Sequence, residues 1–204
     1  MEFCMGVALV GSRKWIRDRY WPSRELHLRP AAVSSRQWDY RRIPALHRMQ
    51  ADAPAVILTT AEALCHRCLP PQVLARAVLE LAQGQTHDVA ALCRRLADAG
   101  YTRCEQVEGP GQFALRGGIL DVFSPDADYP VRCDFFDDEL DTLGRFDPGT
   151  QRRMQNIRQT LLLPAGEVLP AYGAPGAADS LEAAAERYAK KEKTVPLCAA
   201  LRAD

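Results

Sequence analysis

Gln112-Phe113-Ala114-Leu115-Arg116, Ile119-Leu120-Asp121-Val122-Phe123 and Val131-Arg132-Cys133-Asp134-Phe135-Phe136 follow one another, separated only by Gly117-Gly118 and by Ser124 to Pro130. Each run has strand length and carries apolar or aromatic side chains at short intervals, and the separators are residues that turn a chain. Separators this short favour antiparallel pairing, because a parallel neighbour needs a long crossover. Tyr101 to Val107 upstream and Leu140 to Phe146 downstream read as further strands, the second entered through a tight turn at Asp137-Asp138. Asp147-Pro148-Gly149 then reads as the end of the sheet.

Ahead of these strands the period changes from two to about 3.6. Val89, Leu92, Leu96 and Ala99 fall on one helical face, with Thr86 as the expected cap and Gly100 as the stop. Val78 to Leu81, ended by Gly84, reads as a strand. The centre of the chain is therefore expected to be α+β: a mostly antiparallel sheet with packed helices.

The flanks read differently. Met5 to Val10 is apolar and of strand length. Ser34 or Ser35 is positioned to cap a helix running to Met49, which Pro44 should kink or restart. Ala55 to Leu58 is an apolar strand, after which Thr59-Thr60 caps Ala61 to Cys65, the strand-then-helix unit of an α/β lobe. Pro70-Pro71 marks the first expected boundary. Ile157 to Leu163 is one more strand, stopped by Pro164, followed by a linker over Tyr172 to Ala178 and a helix over Leu181 to Lys193. The expected division is an α/β lobe at 1–69, an α+β domain at 70–156, and a return strand, linker and C-terminal helix at 157–204.

Hydrophobic residues make up 47% and charged residues 25% of the 204, the profile of a soluble globular chain. No apolar run reaches the ~18 residues that span a bilayer, and Met1 to Val10 lacks the basic leader and cleavage pattern of a signal peptide. The 7 cysteines are odd in number and scattered, which fits reduced thiols in a cytoplasm. The formal net charge is zero, against bulk electrostatic attraction to nucleic acid. Charge is nonetheless uneven: residues 1–50 hold ten Lys/Arg against four acids, and residues 105–141 hold two arginines against ten acids.

Catalytic chemistry is not evident. Val10-Gly11-Ser12-Arg13-Lys14 lacks the first glycine of a phosphate-binding loop, and Trp15 stands where Ser or Thr would reach magnesium. Cys65-His66-Arg67-Cys68 supplies half of a zinc site, with no second pair to complete it. Asp134, Asp137, Asp138, Glu139 and Asp141 fit a solvated hairpin better than a metal cluster. No enzyme, cofactor or metal is expected.

One face looks like an interface. Alternation along Val131 to Phe136 puts Val131, Cys133 and Phe135 on a core side and Arg132, Asp134 and Phe136 on the other. Arginine and aromatic rings dominate protein–protein contact energies, and a water-exposed Phe gains nothing by itself. Arg116 lies close enough along the chain to join them. The competing reading tucks Phe136 under the acidic turn or against a helix.

These residues also carry a resemblance. Trp21 to Leu26, Ser35 to Arg41, Gly111 to Phe123, Arg132 to Glu139, Phe146 to Arg152 and Leu163 to Glu167 resemble, in order, the N-terminal region of bacterial transcription-repair coupling factors. The match runs from about Tyr20 to Pro170, and the same region is similar to the damage-verification protein UvrB. The resemblance implies a degenerate helicase-like lobe, incomplete here, interrupted by a domain that docks onto UvrA. It implies contacts at Arg116, Arg132 and Phe136, with Asp134 sharing their face. The expected function is a non-catalytic, UvrA-binding module of transcription-coupled nucleotide excision repair, cytoplasmic and away from membranes. The alternatives are a DNA-binding module built on Arg13 to Arg48 with Trp15, Trp21 and Trp38, or a truncated gene product without function. Strong direct nucleic-acid binding is not expected.

Overall fold

The computed structural model describes residues 20–23, 37–51 and 56–173. The Met5 to Val10 strand, the Ser34 or Ser35 cap and the Leu181 to Lys193 helix lie outside the described residues, as do most of the linker and Trp15.

A six-stranded sheet dominates. Its strands lie side by side in sequence order: β4 (Thr102–Arg103), β5 (Gln112–Arg116), β6 (Ile119–Val122), β7 (Val131–Phe136), β8 (Glu139–Phe146) and β9 (Arg153–Asn156). From β5 to β9 every pairing is antiparallel. β4 departs from expectation, being only two residues long and parallel to β5. Val107 explains the shortening. It is buried with Ala114, Phe123 and Phe146 in a small cluster, so the chain must leave the sheet edge to reach it. Gln112 Oε1 then accepts from the Glu108 and Gly109 amides at 2.9 and 3.0 Å, which closes the loop between β4 and β5.

Asp147-Pro148-Gly149 turns the chain but does not end the sheet. Asp147 Oδ1 accepts from the Thr150 amide at 2.7 Å, and the chain re-enters as β9.

Two strands outside this sheet pair with each other: β3 (Leu79–Ala82) and β10 (Gln159–Leu162), antiparallel, with Leu79 opposite Leu162. Between β3 and β4 runs a helix, Val89–Asp98. Its cap is Asp88 rather than Thr86, with Asp88 Oδ1 accepting from the Ala91 amide at 3.0 Å. Thr86 is engaged elsewhere, bridging Glu139 while the His87 amide donates to Asp138 O at 2.7 Å. Capping therefore falls to the next short polar side chain. Gly100, at φ +86°, ends the helix in the left-handed conformation expected of it.

The main core forms where this helix lies on one face of the sheet. Leu92, Leu96 and Ala99 pack with Phe113, Leu120, Val122, Val131, Cys133, Leu140 and Leu143, joined by Leu79, Leu81 and Leu162 from the outer strand pair.

A second core gathers the N-terminal elements. β1 (Tyr20–Trp21) and β2 (Leu58–Thr59) pair in parallel. The strand expected over Ala55 to Leu58 is shifted, beginning at Leu58 among the described residues, while Ala55 lies outside them. Around them pack α1 (Gln37–Met49), α2 (Ala61–Cys65) and α3 (Pro71–Ala77), which makes the Val89–Asp98 helix α4. Pro44 lies inside α1, which continues past it. Thr60 caps α2 as expected, its Oγ1 accepting from the Ala63 amide at 3.2 Å. Pro71 opens α3 at a position where its missing N–H is no loss. Trp21, Ile43, Leu46, Leu69 and Leu74 are buried here together with Leu163 and Leu169 from the far end of the chain. The architecture is α+β and mostly sheet. No helix among the described residues is long and apolar enough to cross a membrane.

Candidate docking face

The face of the sheet that no helix covers among the described residues carries the charged residues that alternation singles out. Register places Ala114, Asp121, Arg132, Gly144 and Asn156 in one row across five strands. Arg116, Ile119, Asp134 and Thr142 form the next row. Phe136 lies one step further along β7, opposite Glu139 at the hairpin.

Asp121 organises the first row. It is fully buried yet charged, which is tolerable only if its oxygens are well bonded. Arg132 grips it with two nitrogens, Nε to Oδ1 at 2.7 Å and Nη2 to Oδ2 at 2.8 Å. Arg116 Nη2 adds a third bond, to Oδ2 at 2.7 Å. Charge-assisted, bidentate pairs of this kind are the strong ones.

Arg132 is held from its other side as well. Nη1 donates to Gln151 O at 3.1 Å and Nη2 to Gln151 Oε1 at 3.3 Å, so four of its five N–H groups have acceptors. Its guanidinium also lies 4.3 Å from the centroid of the Phe146 ring. The hydrogen bond to Asp121 is the main reason its proton is held more tightly than in an ordinary arginine. Gln151 occupies a left-handed conformation, φ +60°, unusual for a side chain of its kind. Its Nε2 donates to Pro148 O at 2.7 Å and Val107 O at 3.2 Å, which fastens the loop in place.

In the second row Asp134 accepts from Thr142 Oγ1 at 2.6 Å and pairs with Arg153 Nη2. Asp134 is therefore a neutralised member of the face. The Phe136 ring packs neither under the acidic turn nor against a helix: the residue is 76% exposed. Ile119 is exposed too, between Arg116 and Asp134.

The structure thus brings Arg116 and Arg132 together on one carboxylate, with Asp134 in the adjoining row and Phe136 at the open end of the strand. Sequence reasoning missed Asp121, Gln151 and Ile119. The signal for Asp121 was present: one carboxylate in the middle of the apolar run Ile119 to Phe123, flanked along the chain by two arginines. No signal marked Gln151. Among the described residues no group of three or more His, Cys, Asp or Glu is arranged to hold a metal ion.

Residues 79–167 match the model of the UvrB interaction domain family, and the residues of this face fall within that match. The chain is similar to the transcription-repair-coupling factor of Myxococcus xanthus, 41% identical over 116 residues, which is 57% of this chain and 10% of that protein. It is similar to the same factor of Bacillus subtilis, 31% identical over 151 residues, 73% of this chain and 13% of that one. It also resembles UvrABC system protein B of Legionella pneumophila (strain Corby), 28% identical over 148 residues, 72% of this chain and 22% of that protein. The chain spans about a tenth of the length of the coupling factors it matches.

Proposed function

We propose that this chain is a non-catalytic docking module that binds UvrA in transcription-coupled nucleotide excision repair, through Arg116, Arg132, Asp134 and Phe136. The observation that carries the reading is Phe136, 76% exposed on a sheet face beside a built arginine–carboxylate cluster. Large exposed rings beside arginine are the composition of binding hot spots, where the apolar group fills a pocket and the charge meets an acidic partner. The match of residues 79–167 to the UvrB interaction domain supports a partner of that repair system.

The same proposal divides the chain into a helicase-like lobe at 1–69, the docking domain at 70–156 and the returning part of the lobe at 157–204. Two features support an interrupted lobe. β1 and β2 pair in parallel ahead of a capped helix, the local unit of an α/β fold. Leu163 and Leu169 return to the core that Trp21, Ile43 and Leu46 began.

Calorimetric titration of the purified chain against UvrA of its own organism tests the function. Saturable binding, lost with Phe136→Ala in a chain that still melts normally, is the expected result. A folded wild-type chain that gives no heat and does not co-elute with UvrA refutes it.

A further inference from the structure

We infer that Asp121 is the positioning residue of the docking face, a buried carboxylate that aims Arg116 outward while Arg132 locks the carboxylate itself in place. The inference rests on the docking reading above and deepens it, because it divides the work between two arginines that alternation treats alike.

The two guanidiniums are bonded very differently. Arg132 has a side chain only 16% exposed and acceptors for four of its N–H groups. It has little left to offer a partner. Arg116 is 47% exposed at its side chain, and among the described residues its one hydrogen bond goes to Asp121 Oδ2. Its other N–H groups have no hydrogen-bond acceptor among the described residues. A free arginine loses rotamer entropy when fixed. One already held on a rigid strand pair has met part of that cost before binding.

The arrangement also sets the partner's chemistry. Two arginines on one carboxylate leave a net positive charge at Arg116. Asp134 adds none of the opposite sign, being paired with Arg153. Ile119 sits opposite Arg116 in the register and is exposed. The complementary surface of a protein partner is therefore a carboxylate beside an apolar contact, not a cation.

A double-mutant cycle on UvrA binding tests the division of work. If Asp121 acts through Arg116, Arg116→Ala and Asp121→Asn each weaken binding by about tenfold, and the double variant is little weaker than either. Losses that multiply to about a hundredfold, or wild-type affinity in Asp121→Asn, overturn the inference.

A second readout needs no partner. In the free chain the Arg116 Nε–H should show a heteronuclear NOE near that of Arg132, and Asp121→Asn should lower it. Arg94 supplies the scale for a loose side chain, being 71% exposed with one 3.9 Å contact to Asp88. An Arg116 as mobile as Arg94 in the wild-type chain refutes the positioning role, even if Asp121→Asn does not fold. Failure to bind UvrA with an ordered Arg116 removes the docking reading and leaves Asp121 holding Arg116.

Discussion

Arg42 Nε meets Glu167 Oε1 at 2.5 Å across 125 residues of sequence, with both side chains shut away from water. Arg42 also donates from Nη1 to Pro22 O and lies 4.3 Å over the Trp21 ring. One guanidinium thus ties α1, the end of β1 and the segment after β10 together. A buried pair of this kind contributes little over a well-packed apolar pair, but stranding one charge is expensive. Glu167→Leu should lower stability by about 3–5 kcal/mol in urea denaturation. Adding Arg42→Met to it should restore a good part of that loss.

Phe136→Ala should separate binding from folding. The ring is 76% exposed, so its removal leaves the thermal midpoint almost unchanged. Truncating a ring that fills a partner's pocket costs about 2 kcal/mol or more, roughly thirtyfold in affinity for UvrA. Arg132→Ala should behave differently. It leaves Asp121 buried with one arginine instead of two, so it lowers the midpoint as well as the affinity.

The centre of this sheet was readable because its strands alternate. Val131 to Phe136 begins and ends where period-two reasoning puts it, with Val131 and Cys133 buried and Phe136 in water. β9 was not readable: Arg153, Met154, Gln155 and Asn156 are all exposed, so no apolar period exists to find. The cap of α4 was misplaced by two residues because Thr86 is claimed by the β7–β8 hairpin, a tertiary contact that local propensity cannot foresee. Of the docking face, the side chains pointing outward could be counted from the strand. The carboxylate behind them was marked only by its place inside the apolar run Ile119 to Phe123; that two arginines from separate strands converge on it is a tertiary fact.

Alkali should loosen the main core in two stages. Burial pushes the Cys133 thiol well above its ordinary 9.0 and the Tyr101 phenol well above 10.0. A group whose proton is held more tightly when folded stabilises the fold fully below its unfolded value and loses that contribution as pH rises beyond it. Stability should therefore be level up to about pH 9 and then fall, more steeply past pH 10, as read by urea midpoints across that range. Iodoacetamide mapping at pH 8 should label exposed Cys65 and Cys68 and spare Cys133 until the chain unfolds.

The turn that leads into β6 should resist even the smallest change. A Cβ on Gly118 would meet the Phe135 carbonyl oxygen at 2.8 Å, and the Gly118 carbonyl already accepts from the Phe135 amide. Gly118→Ala must therefore push β6 and β7 apart, at a cost of about 1–3 kcal/mol by chemical denaturation. Gly84→Ala gives a useful contrast: its Cβ meets nothing, so only the left-handed backbone, φ +83°, is strained, by about 1–2 kcal/mol.

Leu79 and Leu162 face each other as the outermost partners of β3 and β10. Everything between them, including the sheet, α4 and the arginine cluster, leaves and re-enters at neighbouring points. The two ends of this segment therefore lie side by side, yet the segment is not a loose cassette: Tyr101 Oη donates to Leu163 O at 2.5 Å and the Ala165 amide donates to Ala99 O at 2.8 Å. Cutting it out would bare core side chains on both sides of the cut, because Ala165 shares the main core with Leu79 and Leu162.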